Sequence, residues 1–146
     1  MKVDICIEKI KSNATLPTQG SIYSAGYDLY ACIDEAVTIS PHSTVKIGTG
    51  LKFELPEGTF GAIVARSGLA TKQGLSPANK IGVCDSDYRG EYIVALHNHS
   101  NEERIVQPND RIAQLIIMPY IGANFIECDM LSETDRGEGG FGSTGK

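Results

Sequence analysis

The chain has 146 residues, 41% of them hydrophobic, and a formal net charge of −5. That length suits one domain with a substantial core and is too short for two typical ones. The acidic balance argues against broad binding to nucleic acid, which shows as a basic patch, and no apolar run approaches the roughly 20 residues of a membrane span, so neither partner is expected.

From the N-terminus, MKVDICIEKI sets charges between apolar positions and offers no signal-peptide core, so a cytoplasmic location is expected. Within it VDICIEKI (3–10) opens a series of short segments with period-two alternation. YDLYAC (27–32), VTIS (37–40), VKIGTGLKFEL (45–55), FGAIVAR (60–66), EYIVALHNH (91–99), RIAQLIIM (111–118) and NFIEC (124–128) continue it, and each is a predicted strand. Turn residues such as Pro41, Pro56, Gly58, Gly90, Asn101 and Pro108 separate them. Only SGLATKQG (67–74) reads helical, with Ser67 as N-cap and Gly74 as stop. NKIGV followed by CDSDY (79–88) reads as a hairpin whose backbone can face the edge of a small ring. The predicted fold class is therefore all-β, a jelly-roll-like barrel or sandwich with one short helix. It forms a single domain, with a core over 1–130 and a flexible glycine-rich C-terminal arm over 131–146.

Cys6, Cys32, Cys84 and Cys128 are scattered singly, which predicts reduced, buried thiols rather than a disulfide framework or zinc site. His42 stands alone and His97 and His99 alternate as on a strand face, without a second pair at zinc spacing.

Five segments carry candidate chemistry. In AGYDLYA, Asp28 interrupts an apolar strand face, where a carboxylate is costly unless paired, hydrogen-bonded or near a metal. In GAIVARSGLA, a strand runs into the helix, so Arg66, Ser67 and free N–H groups converge in a way that suits an anion; an ordinary cap beside a surface arginine is the plainer reading. In GVCDSDYRGEY, Asp85 and Asp87 alternate and on an extended segment would share one side, as metal ligand and general base, although solvated turn residues are the plainer reading for D-x-D before a glycine turn; Tyr88 lies close behind to stack. NDRIAQL places Asp110 and Arg111 at a strand start and Gln114 within it, which salt bridges and a satisfied amide also explain. The ending RGEGGFGSTGK contains G-x-x-x-x-G-K, but a phosphate loop needs a strand before and a helix after, so a phosphate role requires it to close over a site built elsewhere.

Together and in order, AGYDLYA, RSGLA, GVCDSDYRGE, DRIAQLI and RGEGGFGSTG resemble the five motifs of the trimeric dUTP pyrophosphatases, spread over residues 25–145. The related dCTP deaminases lack the GGFGSTG closure, and a non-catalytic dUTP-binding module has no need of Asp85 and Arg136. Two departures stand out: Cys84 replaces a branched aliphatic, and Asn109 replaces a glycine, asparagine being the residue next best able to adopt positive φ. The resemblance implies hydrolysis of dUTP to dUMP and pyrophosphate by water attack on the α-phosphorus, limiting uracil in DNA and supplying dUMP for thymidylate synthesis. It implies Asp85 as the base that deprotonates the water and Arg136 as an arginine finger. Arg66, Ser67, Gly68 and Gln114 would bind the phosphates, with magnesium held by Asp28 through water. The main chain around Asn79, Gly82 and Val83 would read the uracil edge, and Tyr88 would pack under the deoxyribose. In the arm, Phe141 and Gly142 would cover the base while Ser143 and Thr144 donate to the γ-phosphate. It further implies a homotrimer with active sites shared between subunits.

Overall fold

A computed structural model describes residues 3–142. Twelve strands and one helix follow one another: β1 (Cys6–Lys9), β2 (Thr18–Gln19), β3 (Tyr27–Tyr30), β4 (Val37–Ile39), β5 (Thr44–Gly48), β6 (Leu51–Glu54), β7 (Thr59–Val64), α1 (Ser67–Gln73), β8 (Leu75–Pro77), β9 (Gly82–Asp85), β10 (Ile93–Asn98), β11 (Arg104–Val106) and β12 (Arg111–Pro119). All pairings are antiparallel. The largest sheet has the order β2-β3-β12-β7-β9, and smaller sheets pair β5-β10-β8, β1-β6 and β4-β11.

Alternation explains why these strands fold over one another. Leu29, Ile63, Ala113 and Leu115 of the large sheet meet Ile47, Leu51, Phe53, Val94, Leu96, Ile39 and Val106 of the smaller sheets in one buried cluster. Burying each large aliphatic side chain contributes about 1.5–3 kcal/mol against the entropy of ordering the chain. Among the described residues no helix is long and apolar enough to cross a membrane.

Several expectations need correction. VKIGTGLKFEL is two strands, because the chain changes sheets at Thr49 and Gly50: β5 pairs with β10 while β6 pairs with β1. Residue 91 and its neighbour hold that joint, Thr49 Oγ1 donating to the Tyr92 carbonyl and the Gly50 N–H to Glu91 Oε1. NFIEC forms no strand; no neighbouring strand offers it a ladder, and Phe125 is 97% exposed. Arg66, in extended conformation, caps α1 instead of Ser67, whose carbonyl is already inside the helix accepting from Thr71 Oγ1. Gly74 does end the helix, with φ 68°. The supposed hairpin over 79–88 does not exist as a ladder: β8 pairs with β10 and β9 with β7, so Ala78–Ile81 is a crossover between two sheets, turning at Lys80 with φ 64°. The cysteines are all free, but Cys6 and Cys128 are exposed, Cys32 is buried and Cys84 half-buried. Asn109 adopts φ 65°, so its turn survives the loss of glycine.

Candidate functional site

Asp28 of β3 is the best anchored of the singled-out residues. It faces Gln114 of β12 in register, and Gln114 faces Val64 at the end of β7. Only 5% exposed, its carboxylate accepts from Arg66 Nε at 2.9 Å and Gln114 Nε2 at 3.3 Å on Oδ1, and from Arg111 Nη1 at 3.3 Å on Oδ2. Arg66 reaches further, donating through Nη1 to the Arg111 carbonyl at 3.2 Å. A register shift in β12 between Arg111 and Ala113 turns Arg111 toward this cluster. One carboxylate lies between two guanidiniums, and both arginines line an open cleft beside α1 that Asp110 also lines. Ser67 and Gly68 are exposed at the start of α1, whose first turn holds no acidic side chain.

This donor set bears on a metal. Both Asp28 oxygens already receive protein donors, so direct coordination would displace a guanidinium; a hydrated ion touching the carboxylate through water fits, in keeping with magnesium's reluctance to shed its shell.

Asp85 lies elsewhere. It ends β9, opposite Phe60 of β7, which in turn faces Met118 of β12. Phe60 and Val64 are four residues apart on one strand, roughly 13 Å at about 3.3 Å per residue, so within one chain the Asp85 and Asp28 rows are well separated. Asp85 is exposed. The strand stops there in a turn closed by the Tyr88 N–H donating to the Asp85 carbonyl at 3.1 Å, so Asp87 does not continue the alternation and the turn reading of D-x-D holds over the same-side pair.

Tyr88 is 43% exposed; its hydroxyl donates to the Glu91 carbonyl at 3.1 Å, and its ring centroid lies 6.1 Å from that of buried Tyr92, which itself stacks at 4.3 Å on Phe53. Beneath, Cys84 adjoins the Tyr92 hydroxyl, which has no well-formed hydrogen bond among the described residues and leans on this thiol. Burial pushes the Cys84 thiol up to about 11, outweighing the opposing contact with the Tyr92 hydroxyl, and the neighbouring Asp85 carboxylate adds a smaller push upward, so the thiol is neutral and inert near neutral pH.

On the crossover Asn79 is exposed, and at the start of β9 Gly82 is buried against Ile63 while Val83 is exposed. In the arm, Arg136 Nε donates to the Gly139 carbonyl at 2.8 Å within a local turn, and Phe141 and Gly142 are exposed. Ser143 and Thr144 lie outside the described residues. The structure thus joins Asp28, Arg66 and Gln114 in one cluster, and Asp85 with Tyr88 in another. Arg111, read from sequence as a salt-bridging residue at a strand start, makes that bridge to Asp28, while Gly90 and Glu91 beside Tyr88 were not singled out as site residues. The signal for Arg111 was the cost of Asp28 itself, which demands cationic partners.

The sequence model of the dUTPase family matches residues 12–145. A deoxyuridine 5'-triphosphate nucleotidohydrolase of Desulfitobacterium hafniense is 49% identical over 99% of this chain and 97% of that protein. One from the yeast Debaryomyces hansenii is 48% identical over 92% of this chain and 82% of its own length. Among solved structures, the dUTPase of Staphylococcus bacteriophage 80alpha, as a G164S mutant with dUpNHpp, superposes with a TM-score of 0.90 over 99% of this chain and 100% of that one; at 24% identity the likeness is one of fold.

Proposed function

This chain belongs to the dUTPase family, and on that premise we infer that its reaction is the hydrolysis of dUTP to dUMP and pyrophosphate. The observation that carries the reading is the match over residues 12–145 joined to two guanidiniums, Arg66 and Arg111, gathered by Asp28 beside the start of α1, donors suited to a triphosphate. Arg66, Ser67, Gly68 and Gln114 bind the phosphates, and Asp28 holds the two guanidiniums in place for them. Magnesium, when bound, offsets phosphate charge; Asp28 is the residue that would hold it, through water. Asp85 orients and deprotonates the attacking water, and its exposure leaves the carboxylate open to that water. The backbone around Asn79, Gly82 and Val83 reads the uracil edge, rejecting cytosine by mismatched donors and thymine by collision with its methyl. Tyr88 walls the sugar, Phe141 and Gly142 cover the base, Ser143 and Thr144 meet the γ-phosphate, and Arg136 neutralises the leaving pyrophosphate.

The separation of the Asp85 and Asp28 rows favours sites shared between copies, with the phosphate seat of one chain completing the Asp85–Tyr88 half of another in a homotrimer. Residues 131–146 then act as an arm closing over the core formed by 1–130, in a cytoplasmic enzyme. Pyrophosphate release from dUTP, compared with dCTP, dTTP and UTP and with and without magnesium, tests the reading. Selective, magnesium-stimulated release is expected; equal release from UTP or dCTP, or none from dUTP, refutes it.

A further inference from the structure

We infer that Gly90 and Glu91 are positioning residues for the Tyr88 ring and so set selectivity against a ribose 2′-hydroxyl, an inference that rests on the proposed role of Tyr88 as the sugar-facing wall. Tyr88 follows the strand, on a segment with no ladder of its own. An aromatic side chain there, 43% exposed, needs other restraints to hold one orientation. Two are present. The first is shape: a Cβ on Gly90 would overlap the Tyr88 hydroxyl and Cζ outright and approach Cε2 to 2.7 Å, so the ring lies directly over bare backbone. The second is a hydrogen-bond relay. The Tyr88 hydroxyl donates to the Glu91 carbonyl at 3.1 Å, while the side chain of the same Glu91 accepts the Gly50 N–H at 2.7 Å through Oε1.

Glu91 therefore pins the ring to the joint where the chain passes from β5 to β6. That joint fits the carboxylate tightly, since a Cβ on Gly48 would overlap Oε1 and come within 3.0 Å of Cδ. Next along the chain, Tyr92 secures the same place through backbone: its N–H donates to the Leu51 carbonyl at 2.9 Å, and its carbonyl accepts the Thr49 N–H at 3.1 Å. The half-exposed ring is thus tied to a buried framework through one residue. A wall excludes a hydroxyl only if it cannot recede, because a polar group rejected by a fixed apolar face is accepted by a face that moves aside and admits water.

The test compares kcat/KM for dUTP and UTP in Gly90→Ala, Glu91→Ala and Glu91→Gln, with thermal midpoints measured alongside. Gly90→Ala and Glu91→Ala are expected to lower the dUTP-to-UTP ratio by about tenfold or more, mainly through a lower KM for UTP. Glu91→Gln keeps an acceptor oxygen for the Gly50 N–H and is expected to hold the ratio within about threefold of wild type. A merely structural role would lower the midpoint and depress both substrates together, leaving the ratio where it was; that result overturns the inference. Should Gly90→Ala not fold, Tyr88→Phe, which deletes only the hydroxyl held by Glu91, decides in its place: a ratio equal to wild type overturns the inference. A wild-type protein that fails to hydrolyse dUTP, or treats UTP alike, defeats the dUTPase reading instead. The positioning claim is then decided by the crystal structure of Glu91→Ala, where a Tyr88 ring that has not moved overturns it.

Discussion

Replacing Asp28 by asparagine separates its structural work from any part in holding a metal. The wild-type carboxylate, 5% exposed, takes three donors, two of them guanidiniums. Hydrogen bonds to charged groups are worth about 1.5–3 kcal/mol against about 0.5–1.5 for neutral ones, so losing the charge costs roughly 1–1.5 kcal/mol at Arg66, whose side chain is one quarter exposed. The Arg111 contact is half exposed and screened, and adds about 0.5 kcal/mol or less. Asparagine also has one acceptor oxygen instead of two, so its amide NH₂ faces a guanidinium and one contact is lost, about 1 kcal/mol more. The total is about 2–3 kcal/mol, or about 4–12 °C in thermal midpoint at 2–4 °C per kcal/mol for a chain of this size. Thermal unfolding at one fixed protein concentration reads it, because association would otherwise shift the midpoint. A second arm titrates magnesium against the rate of dUTP hydrolysis below the mutant's midpoint: a carboxylate that holds the ion through water raises the concentration for half-maximal rate when it is removed. A midpoint within 1 °C of wild type would refute the charge cluster, and an unmoved magnesium dependence would remove Asp28 from the metal's surroundings.

Asp85→Asn is expected to bind a non-hydrolysable dUTP analogue nearly as well as wild type and to lose roughly 10²- to 10⁴-fold in kcat, measured by pyrophosphate release; turnover within a few-fold of wild type would exclude the base role. A chain ending at Thr134 is expected to keep its ligand-free thermal midpoint, since residues 121–138 are exposed and outside every sheet, yet to lose roughly 10³-fold or more in turnover; full turnover would make the arm a passive tail. At pH 8 the Cys84 and Cys32 thiols, both pushed up chiefly by burial, are expected to stay protonated and resist iodoacetamide in the native protein and to react once it is unfolded in urea. Peptide mass mapping reads this, and rapid native labelling of Cys84 would contradict its burial.

The long strands were legible because alternation is written locally: YDLYAC, FGAIVAR and RIAQLIIM supply the middle of the large sheet. Pairing is not local, and NFIEC shows the difference, alternating as well as the others while finding no neighbour. Brevity hid β2, β8 and β11, none longer than three residues. The candidate residues were legible through five ordered motifs, but not their grouping. A carboxylate on an apolar strand face announces that it needs partners; it does not say which of 13 lysines and arginines supplies them, and Arg111 lies 83 residues away. For the carboxylates of DSD, the glycine that follows was the better guide than period-two alternation, since the chain turns at Asp85.

The pairing of β3 with β12 has a consequence during synthesis. Asp28 meets Gln114 across 86 residues, so at about 5–20 residues per second β3 waits about 4–17 s on the ribosome before β12 exists. β1 waits for β6 and β4 for β11 in the same way. Topologies built on such distant pairings fold slowly for their size, because loop closure must be met before contacts repay it. The nascent chain therefore carries unpaired edges through most of its own translation, and the last long strand to emerge, β12, is the one that closes the centre of the largest sheet between β3 and β7.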